Sequence, residues 1–290
     1  MDLSIIIINY KTKDLTLQTL DSVFKADPPP GKMEVFLIDN HSQDATPAAV
    51  KQQFPQVKQI LSPKNLGFAG GNNLGLRQAK GRYILLLNSD TIIEPDTLTV
   101  MIKYMDANPQ VGLSTCRVEL ADGRIDPASH RGFPTPWASL TYYLGLEKFF
   151  PHSPLLAQYH QGWKDLKQIH EIDSPVGAFF FLRKSVLNQV GLLDEAFFMY
   201  AEDLDLAFRI KKSGWQVMYV PTTKITHLKG ASGINSTDKS KKIITTKAFF
   251  DTMKTFYQKH YRKKYLFFIR WLVFLGIDLV KTIKIIKIRL

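Results

Sequence analysis

Cysteine is nearly missing from this chain of 290 residues, which holds only Cys116. A lone thiol excludes an intramolecular disulfide framework and a cysteine-built zinc site, so a reducing compartment and an inert buried thiol are the simplest expectations. A membrane-spanning run of about 20 apolar residues is also missing, because Arg270 and Asp278 divide the longest apolar stretch. The first apolar run is short, led by Asp2, and lacks the basic start of a signal peptide. Neither a repeat of fixed period nor a long low-complexity tract occurs. Both common glycine loops for nucleotides are lacking: no GxGxxG follows the first strand, and Asn65 to Asn73 lacks the Lys-Ser/Thr ending of a P-loop.

What is present is a 45% hydrophobic chain, enough for a large α/β domain with a tail. Apolar runs at Leu3 to Ile8, Val35 to Ile38 and Tyr83 to Leu87 read as strands, each closed by polar residues: Asn9-Tyr10, Asp39-Asn40 and Asn88-Ser89-Asp90. Helical segments at Thr12 to Lys25, Ala45 to Phe54 and Ala69 to Ala79 alternate with them, predicting βαβαβαβ, a parallel sheet, and polar strand ends on one edge. Ligands bind at that edge in open α/β sheets. A polar triplet after a strand also makes an ordinary turn, and Ser42 or Asp44 suits a helix cap. Asp39 precedes the cap, where its carboxylate can accept from a nucleobase imide or a ribose hydroxyl. The glycines of Asn65 to Asn73 allow close backbone approach near a helix start.

In order, Ser4 to Tyr10, Asp39-Asn40-x-Ser42-x-Asp44, Asn65-x-Gly67-Phe68-x-x-Gly71-Asn72 and Asn88-Ser89-Asp90 resemble a family 2 glycosyltransferase of the GT-A fold. Further on, Asp194-Glu195-x-Phe197-Phe198-x-Tyr200-x-Glu202-Asp203-x-Asp205-Leu206-x-x-Arg209, Gly214-Trp215 and His227 are similar to the acceptor half of rhamnosyltransferase-like members. The resemblance covers roughly residues 3 to 232. It implies a mostly parallel central sheet flanked by helices, with residues 1–235 as the catalytic domain. The nucleotide-binding half would cover about 1–118 and the acceptor half about 119–235.

The resemblance also implies an inverting, metal-dependent transfer from a nucleotide-sugar donor to a lipid-linked or polysaccharide acceptor in cell-surface glycan synthesis. Rhamnose from dTDP-rhamnose leads, with UDP-linked hexoses as alternatives. Asn9, Tyr10, Asp39, Asn65, Gly67, Asn72, Asn88, Ser89 and Asp90 would contact the nucleotide sugar. Asp90 and His227 would hold Mg²⁺ or Mn²⁺, both of which accept oxygen ligands. Asn88 stands where the family more often has Asp, leaving one carboxylate fewer, so the metal is expected to enter with the donor. His227 can alternatively be a hydrogen-bonded structural histidine.

Asp203 would be the base for the acceptor hydroxyl, with Glu202 beside it, touching the acceptor or positioning the loop. These acids, with Asp205, also suit the positive end of the helix expected over Leu206 to Lys212. Arg209 is expected to pair with Asp205 one turn away, and Trp215 reads as core. Val217 to Val220 and Lys224 to Thr226 read as two short strands. Arg131 to His170 reads as an acceptor-side insert, and Ser174 to Arg183 as strand-like, its Gly-Ala near the acceptor channel by resemblance. A rival reading is a non-catalytic nucleotide-binding or scaffolding subunit of a membrane glycan assembly complex, but it leaves Asp90 and Asp203 without a purpose.

The formal net charge of +12 comes from 38 basic against 26 acidic side chains and concentrates in the last third. Residues 236–290 read as a basic, amphipathic helical extension, either packed on the domain or lying in the membrane interface. Its aliphatic and aromatic runs favour lipid over nucleic acid, with Lys281, Lys284 and Lys287 meeting anionic headgroups. The expected location is therefore cytoplasmic and peripheral, on the inner face of the cell membrane.

Overall fold

Alternating apolar runs and helical segments build the first half as β1 (Leu3–Asn9), α1 (Lys13–Lys25), β2 (Met33–Asp39), α2 (Thr46–Gln53), β3 (Lys58–Leu61), α3 (Gly67–Leu76) and β4 (Tyr83–Asn88). β5 (Thr91–Ile93), α4 (Thr97–Ala107), β6 (Val111–Leu120), α5 (Pro136–Tyr143), α6 (Leu146–Phe149) and β7 (His170–Glu171) follow. The chain continues through β8 (Phe179–Arg183), α7 (Lys184–Val190), α8 (Glu202–Lys212), β9 (Gln216–His227), α9 (Lys239–His260) and α10 (Phe267–Arg289). This computed structural model describes residues 1–228 and 239–289. The Gly230 to Gly233 loop, the domain boundary at 235 and Leu290 lie outside the described residues.

The strands form one sheet in the order β3-β2-β1-β4-β8-β6-β9-β5, with β7 paired to β9. β3, β2, β1 and β4 run parallel, as the alternation with helices requires. β8 enters antiparallel between β4 and β6, and β5 and β7 pair antiparallel with β9, so the sheet is mixed beyond β4. A division at residue 118 falls inside β6, and the sheet continues across it. The segments expected as two strands near the end are one strand, β9, whose register against β6 shifts between Val220 and Lys224, around Pro221.

Period-2 alternation buries both faces. Ile5, Ile7, Leu85 and Leu87 pack toward α1 and α4 through Leu20, Val23, Leu98 and Met101. Ile6, Ile84 and Leu86 pack on the other face against α3, α7 and α8 through Ala69, Leu76, Val186 and Leu206. Cys116 is buried in the first of these clusters, the inert position expected.

A third cluster, Phe197, Leu204, Phe256, Tyr257 and Tyr261, fastens α9 to α8. Fully buried Asp205 completes the joint. Its carboxylate meets Arg209 at 2.8 Å, the expected helical pair, and also Lys259 at 2.6 Å and His260 at 2.7 Å from α9. α10 folds back on α9, with Lys254 paired to Asp278 and Lys281 to Asp251. Lys281 thus spends its ammonium on two aspartates, Asp278 lying 3.3 Å away on its own helix, and is not the free headgroup-facing lysine that its spacing suggested. The opposite face of α10 leaves Phe268, Trp271, Leu272, Leu275, Leu279 and Ile283 exposed. Among the described residues no helix is long and apolar enough to cross a membrane.

The Asp205 joint has a definite pH signature. Burial works to raise its pKa, but the bonds from His260 and Lys259 and the Arg209 charge outweigh it and hold the carboxyl at about 2. That value is below the unfolded one of about 3.9, so the joint's stabilisation is complete above pH ~4 and is lost as pH falls through about 2. Asp205→Ala leaves buried cations uncompensated and is expected to destabilise the fold by about 3–5 kcal/mol in urea unfolding at pH 7. The deficit should shrink as pH is lowered toward 2, and a pH-independent deficit would contradict the ion-pair account.

Candidate active site

The parallel register sets the ends of β1, β2 and β4 side by side. Asn9 pairs with Asp39 across one strand gap, and Ile8 with Asn88 across the other. Asn9 is buried, and its amide donates to Asp39 Oδ1 at 2.8 Å and Ser42 Oγ at 2.9 Å, while Ser42 N–H donates to Asp39 Oδ2 at 3.1 Å. Asn9 therefore orients Asp39 and does not itself face open space. Neither Ser42 nor Asp44 caps α2, whose N-cap position is Ala45: Asp44 accepts from Thr46 N–H in a turn just before the helix, and Ser42 bridges the two strand ends. Tyr10 is exposed beside Lys11, and Ser89 Oγ lies 3.0 Å from Thr12 Oγ1, joining the ends of β1 and β4.

The glycine segment serves a different purpose from the one expected. Gly67 has φ +71°, and a Cβ there would stand 2.1 Å from the Phe198 carbonyl; at Gly71 it would stand 2.2 Å from Ile8 Cδ1. These glycines make room for protein, not ligand. The amides of Leu66, Gly67 and Phe68 are taken by Asn40, Asn65 and Phe198 O, so these three are not free for an anion. Asn65 and Asn72 are likewise spent on the loop: Asn65 Oδ1 accepts from Asn40, and buried Asn72 donates to Phe68 O.

At the end of β4, Asp90 Oδ1 lies 3.2 Å from His227 Nε2, and Asn88 Nδ2 lies 3.5 Å from the same nitrogen. Nδ1 of His227 faces fully buried Asp126 at 3.2 Å. Burial alone would lower the imidazole pKa, but the bonds to Asp126 and Asp90 raise it to about 9. A carboxylate behind the ring fixes the tautomer that presents Nε2, the arrangement common to metal-bound histidines. Asp90 and His227 thus offer an oxygen and a nitrogen at one point, which fits a divalent cation whose other positions are filled by ligand oxygens and water. Among the described residues no group of three or more His, Cys, Asp or Glu side chains is arranged to hold a metal alone.

Glu202 and Asp203 open α8 after two non-glycine residues in the left-handed region, Tyr200 at φ 73° and Ala201 at φ 67°. Such residues cost about 1–3 kcal/mol each and persist where the surroundings over-determine them. Lys11, His41 and Gln43, at the ends of β1 and β2, share this conformation. Asp203 Oδ2 accepts from Arg131 Nη2 at 2.7 Å and Gly177 N–H at 3.3 Å. The neighbouring Ala178 carbonyl accepts from Asn88 N–H at 3.1 Å. Short bonded steps therefore run from Asp203 through Gly177-Ala178 to Asn88, His227 and Asp90.

Three buried polar atoms of this neighbourhood have no hydrogen-bond partner: Asn88 Oδ1, Arg131 Nε and Glu202 Oε2. Unpaired buried polar atoms are rare and call for a reason. Sequence reasoning missed Arg131 and Asp126, and only an Asp-Pro turn at 126–127 hinted at the latter. Trp215 packs at the rim of the core and donates to Gln189, in line with a structural role.

Strand ends with aligned polar side chains, a carboxylate–histidine point and a second carboxylate within a few bonded residues meet at one edge of the sheet, where open α/β sheets bind ligands. Comparison with known proteins identifies the class. The description Glycosyl transferase family 2 matches residues 4–191. The chain is 27% identical over 215 residues to the N-acetylglucosaminyl-diphospho-decaprenol L-rhamnosyltransferase of Mycobacterium tuberculosis, covering 69% of this chain and 68% of that one. It is 28% identical over 170 residues to rhamnosyltransferase WbbL of Escherichia coli, covering 56% and 60% respectively. Among solved structures, a mannosyltransferase from Pyrobaculum calidifontis in complex with GDP-Man and Mn²⁺ matches with TM-score 0.62 at 17% identity, over 99% of this chain and 72% of that chain. The chain belongs to glycosyl transferase family 2, is rhamnosyltransferase-like within it, and has the GT-A type of fold. It is a glycosyltransferase of the EC 2.4 class, of the kind that builds cell-surface glycans.

Glu202 carries a prediction of its own. Burial first, then the Asp203 charge, push its pKa up to about 8. The folded value lies above the unfolded one of about 4.3, so holding this acid costs stability increasingly as pH rises from ~4 to about 8. Glu202→Gln is expected to remove that slope, so that the Tm difference between variant and wild type grows in the variant's favour from pH 5 to pH 8. Parallel Tm profiles would contradict a neutral, buried Glu202.

Proposed function

We propose that this transferase is inverting and metal-dependent, and moves rhamnose from dTDP-rhamnose to a saccharide acceptor carried on a lipid diphosphate. UDP-linked hexoses are the alternative donors. Asp203 accepts the acceptor's hydroxyl proton as that oxygen bonds to the anomeric carbon, while the bond from the same carbon to the nucleoside diphosphate breaks. A single displacement of this kind inverts the anomeric centre. The observation that carries the reading is the linkage of Asp203 to Asp90 through Gly177-Ala178, Asn88 and His227, which brings two carboxylates to one sheet edge.

Asp39, oriented by Asn9 and Ser42, accepts from the nucleobase or ribose, and exposed Tyr10 covers it. Glu202, with Oε2 unpaired, meets the acceptor. Asp90 and His227, the latter backed by Asp126, hold Mg²⁺ or Mn²⁺, which neutralises charge on the leaving diphosphate when bound. His227 must lose its proton to act as a ligand, so cation affinity rises with pH.

The lipid part of the acceptor suggests why the chain carries α10. Its bare apolar face suits the interface of an anionic membrane at the cytoplasmic face, while Lys284 lies over Phe250 of α9 and so faces away from it. The M. tuberculosis relative, an N-acetylglucosaminyl-diphospho-decaprenol L-rhamnosyltransferase, supports a lipid-linked acceptor.

Nucleotide release measured with a panel of donors, Mg²⁺ or Mn²⁺ and lipid-linked saccharides tests the reading; no turnover with any donor would overturn it. Asp203→Asn should lower turnover by about 10²–10⁴-fold and leave donor affinity nearly unchanged. Asp90→Ala should instead weaken metal-dependent nucleotide binding, and unchanged metal dependence would remove Asp90 from this role. In liposome flotation the protein should rise with anionic vesicles, and Trp271→Glu with Leu275→Glu should keep it in the soluble fraction. Flotation unaffected by those charges would refute the α10 face as the lipid contact.

A further inference from the structure

We infer that Arg131 is the positioning residue of the transfer step: it locks the Asp203 carboxylate to the 174–177 segment in the orientation from which it takes the acceptor's proton. The inference rests on Asp203 being the base. Arg131 is itself clamped by backbone. Its N–H donates to Ser174 O at 3.2 Å, and its carbonyl accepts from Ser174 N–H at 3.0 Å and Asp173 N–H at 3.1 Å. The side chain then turns along the same segment. One guanidinium nitrogen, Nη2, reaches both Pro175 O at 2.8 Å and Asp203 Oδ2 at 2.7 Å.

Gly177 N–H donates to that same carboxylate oxygen at 3.3 Å, while Asp203 Oδ1 accepts from Leu204 N–H at 2.7 Å. Two donors fixed on one backbone segment hold Oδ2, so the plane of the carboxylate is set before substrate arrives. The Asp203 and Arg131 side chains are only 11% and 10% exposed, so water competes little for these bonds. Gly177 also lies against Phe68 of α3, where an added Cβ would stand 3.1 Å from Cζ. The clamp is thereby tied to the wall of the nucleotide half.

Arginine is needed for geometry. Its planar fork carries several N–H donors in fixed directions, so one end can bind both the carbonyl and the carboxylate while Nε stays free. That Nε is buried without a hydrogen-bond partner, and Tyr159 also lies against the guanidinium. A lysine ammonium on a flexible stem keeps the charge but not the directions. An ordinary stabilising ion pair predicts loss of fold with loss of charge; a positioning role predicts loss of rate with charge retained.

The test compares wild type, Arg131→Lys, Asp203→Asn and the double variant, reading kcat, donor KM and Tm. A misplacement of about 1 Å can cost ~10²-fold in rate, so R131K should lower kcat by about 10–100-fold, with donor KM changed less than about twofold and Tm nearly kept. On the D203N background it should lower the residual rate no further, since the group it positions is gone. Wild-type kcat in R131K, a parallel rise in donor KM, or an equal loss on both backgrounds would overturn the inference. Should R131K fold poorly, Arg131→Ala assayed with added guanidinium or methylammonium makes the same comparison, since the first restores charge and planar donors and the second charge alone; equal rescue of kcat by both would overturn the inference. If D203N turns over like wild type, the base assignment fails as well; if D203N is inactive and R131K is not, only the inference about Arg131 fails.

Discussion

The in-phase ending of β1, β2 and β4 is the constraint on which the site depends. Parallel pairing fixes Asn9 opposite Asp39 and Ile8 opposite Asn88, and a slip by one residue would send each polar end to the other face of the sheet. Because both faces are sealed by helices, the edge is the one place where buried strands can present polar side chains to a ligand. The left-handed residues at Lys11, His41 and Gln43 show the chain turning sharply there, without glycine, to keep the edge open.

The second half of the molecule brings a different set of groups to that edge. β8 enters antiparallel beside β4, so the Gly177-Ala178 turn at its start lies next to Asn88, where β4 finishes. α8 delivers Glu202 and Asp203 to the same turn, and β9 ends at His227 beside Asp90. Substrate-side chemistry thus depends on where antiparallel strands begin and parallel strands end. The C-terminal hairpin is fastened to α8 at Asp205, two residues from Asp203, so the helix that carries Asp203 also carries the joint to the hairpin with the bare apolar face of α10.

Strand ends and helices of the first half were legible in the sequence because they rest on local pattern: period 2 and polar punctuation. The Arg209–Asp205 pair was legible for the same reason, being one helical turn apart. Arg131 and Asp126 were not, because they reach Asp203 and His227 across 72 and 101 residues of sequence, and nothing local marks an arginine as a clamp. The glycines of α3 misled in an instructive way. Composition says that a backbone comes close to something, and only the packing shows that Phe198 and Ile8 are what it approaches. Lys281 shows the same limit, since its spacing with Lys284 and Lys287 suited headgroups while Asp251 and Asp278 capture it.

The most direct measurement of the central claim is anomalous diffraction from crystals grown with Mn²⁺ and a nucleoside diphosphate. The account predicts a manganese peak bonded to Asp90 and His227, the nucleobase beside Asp39, and Asp203 on the far side of the sugar position from the diphosphate. A manganese peak away from Asp90, or an Asp203 carboxylate separated from the sugar position by other protein, would contradict it.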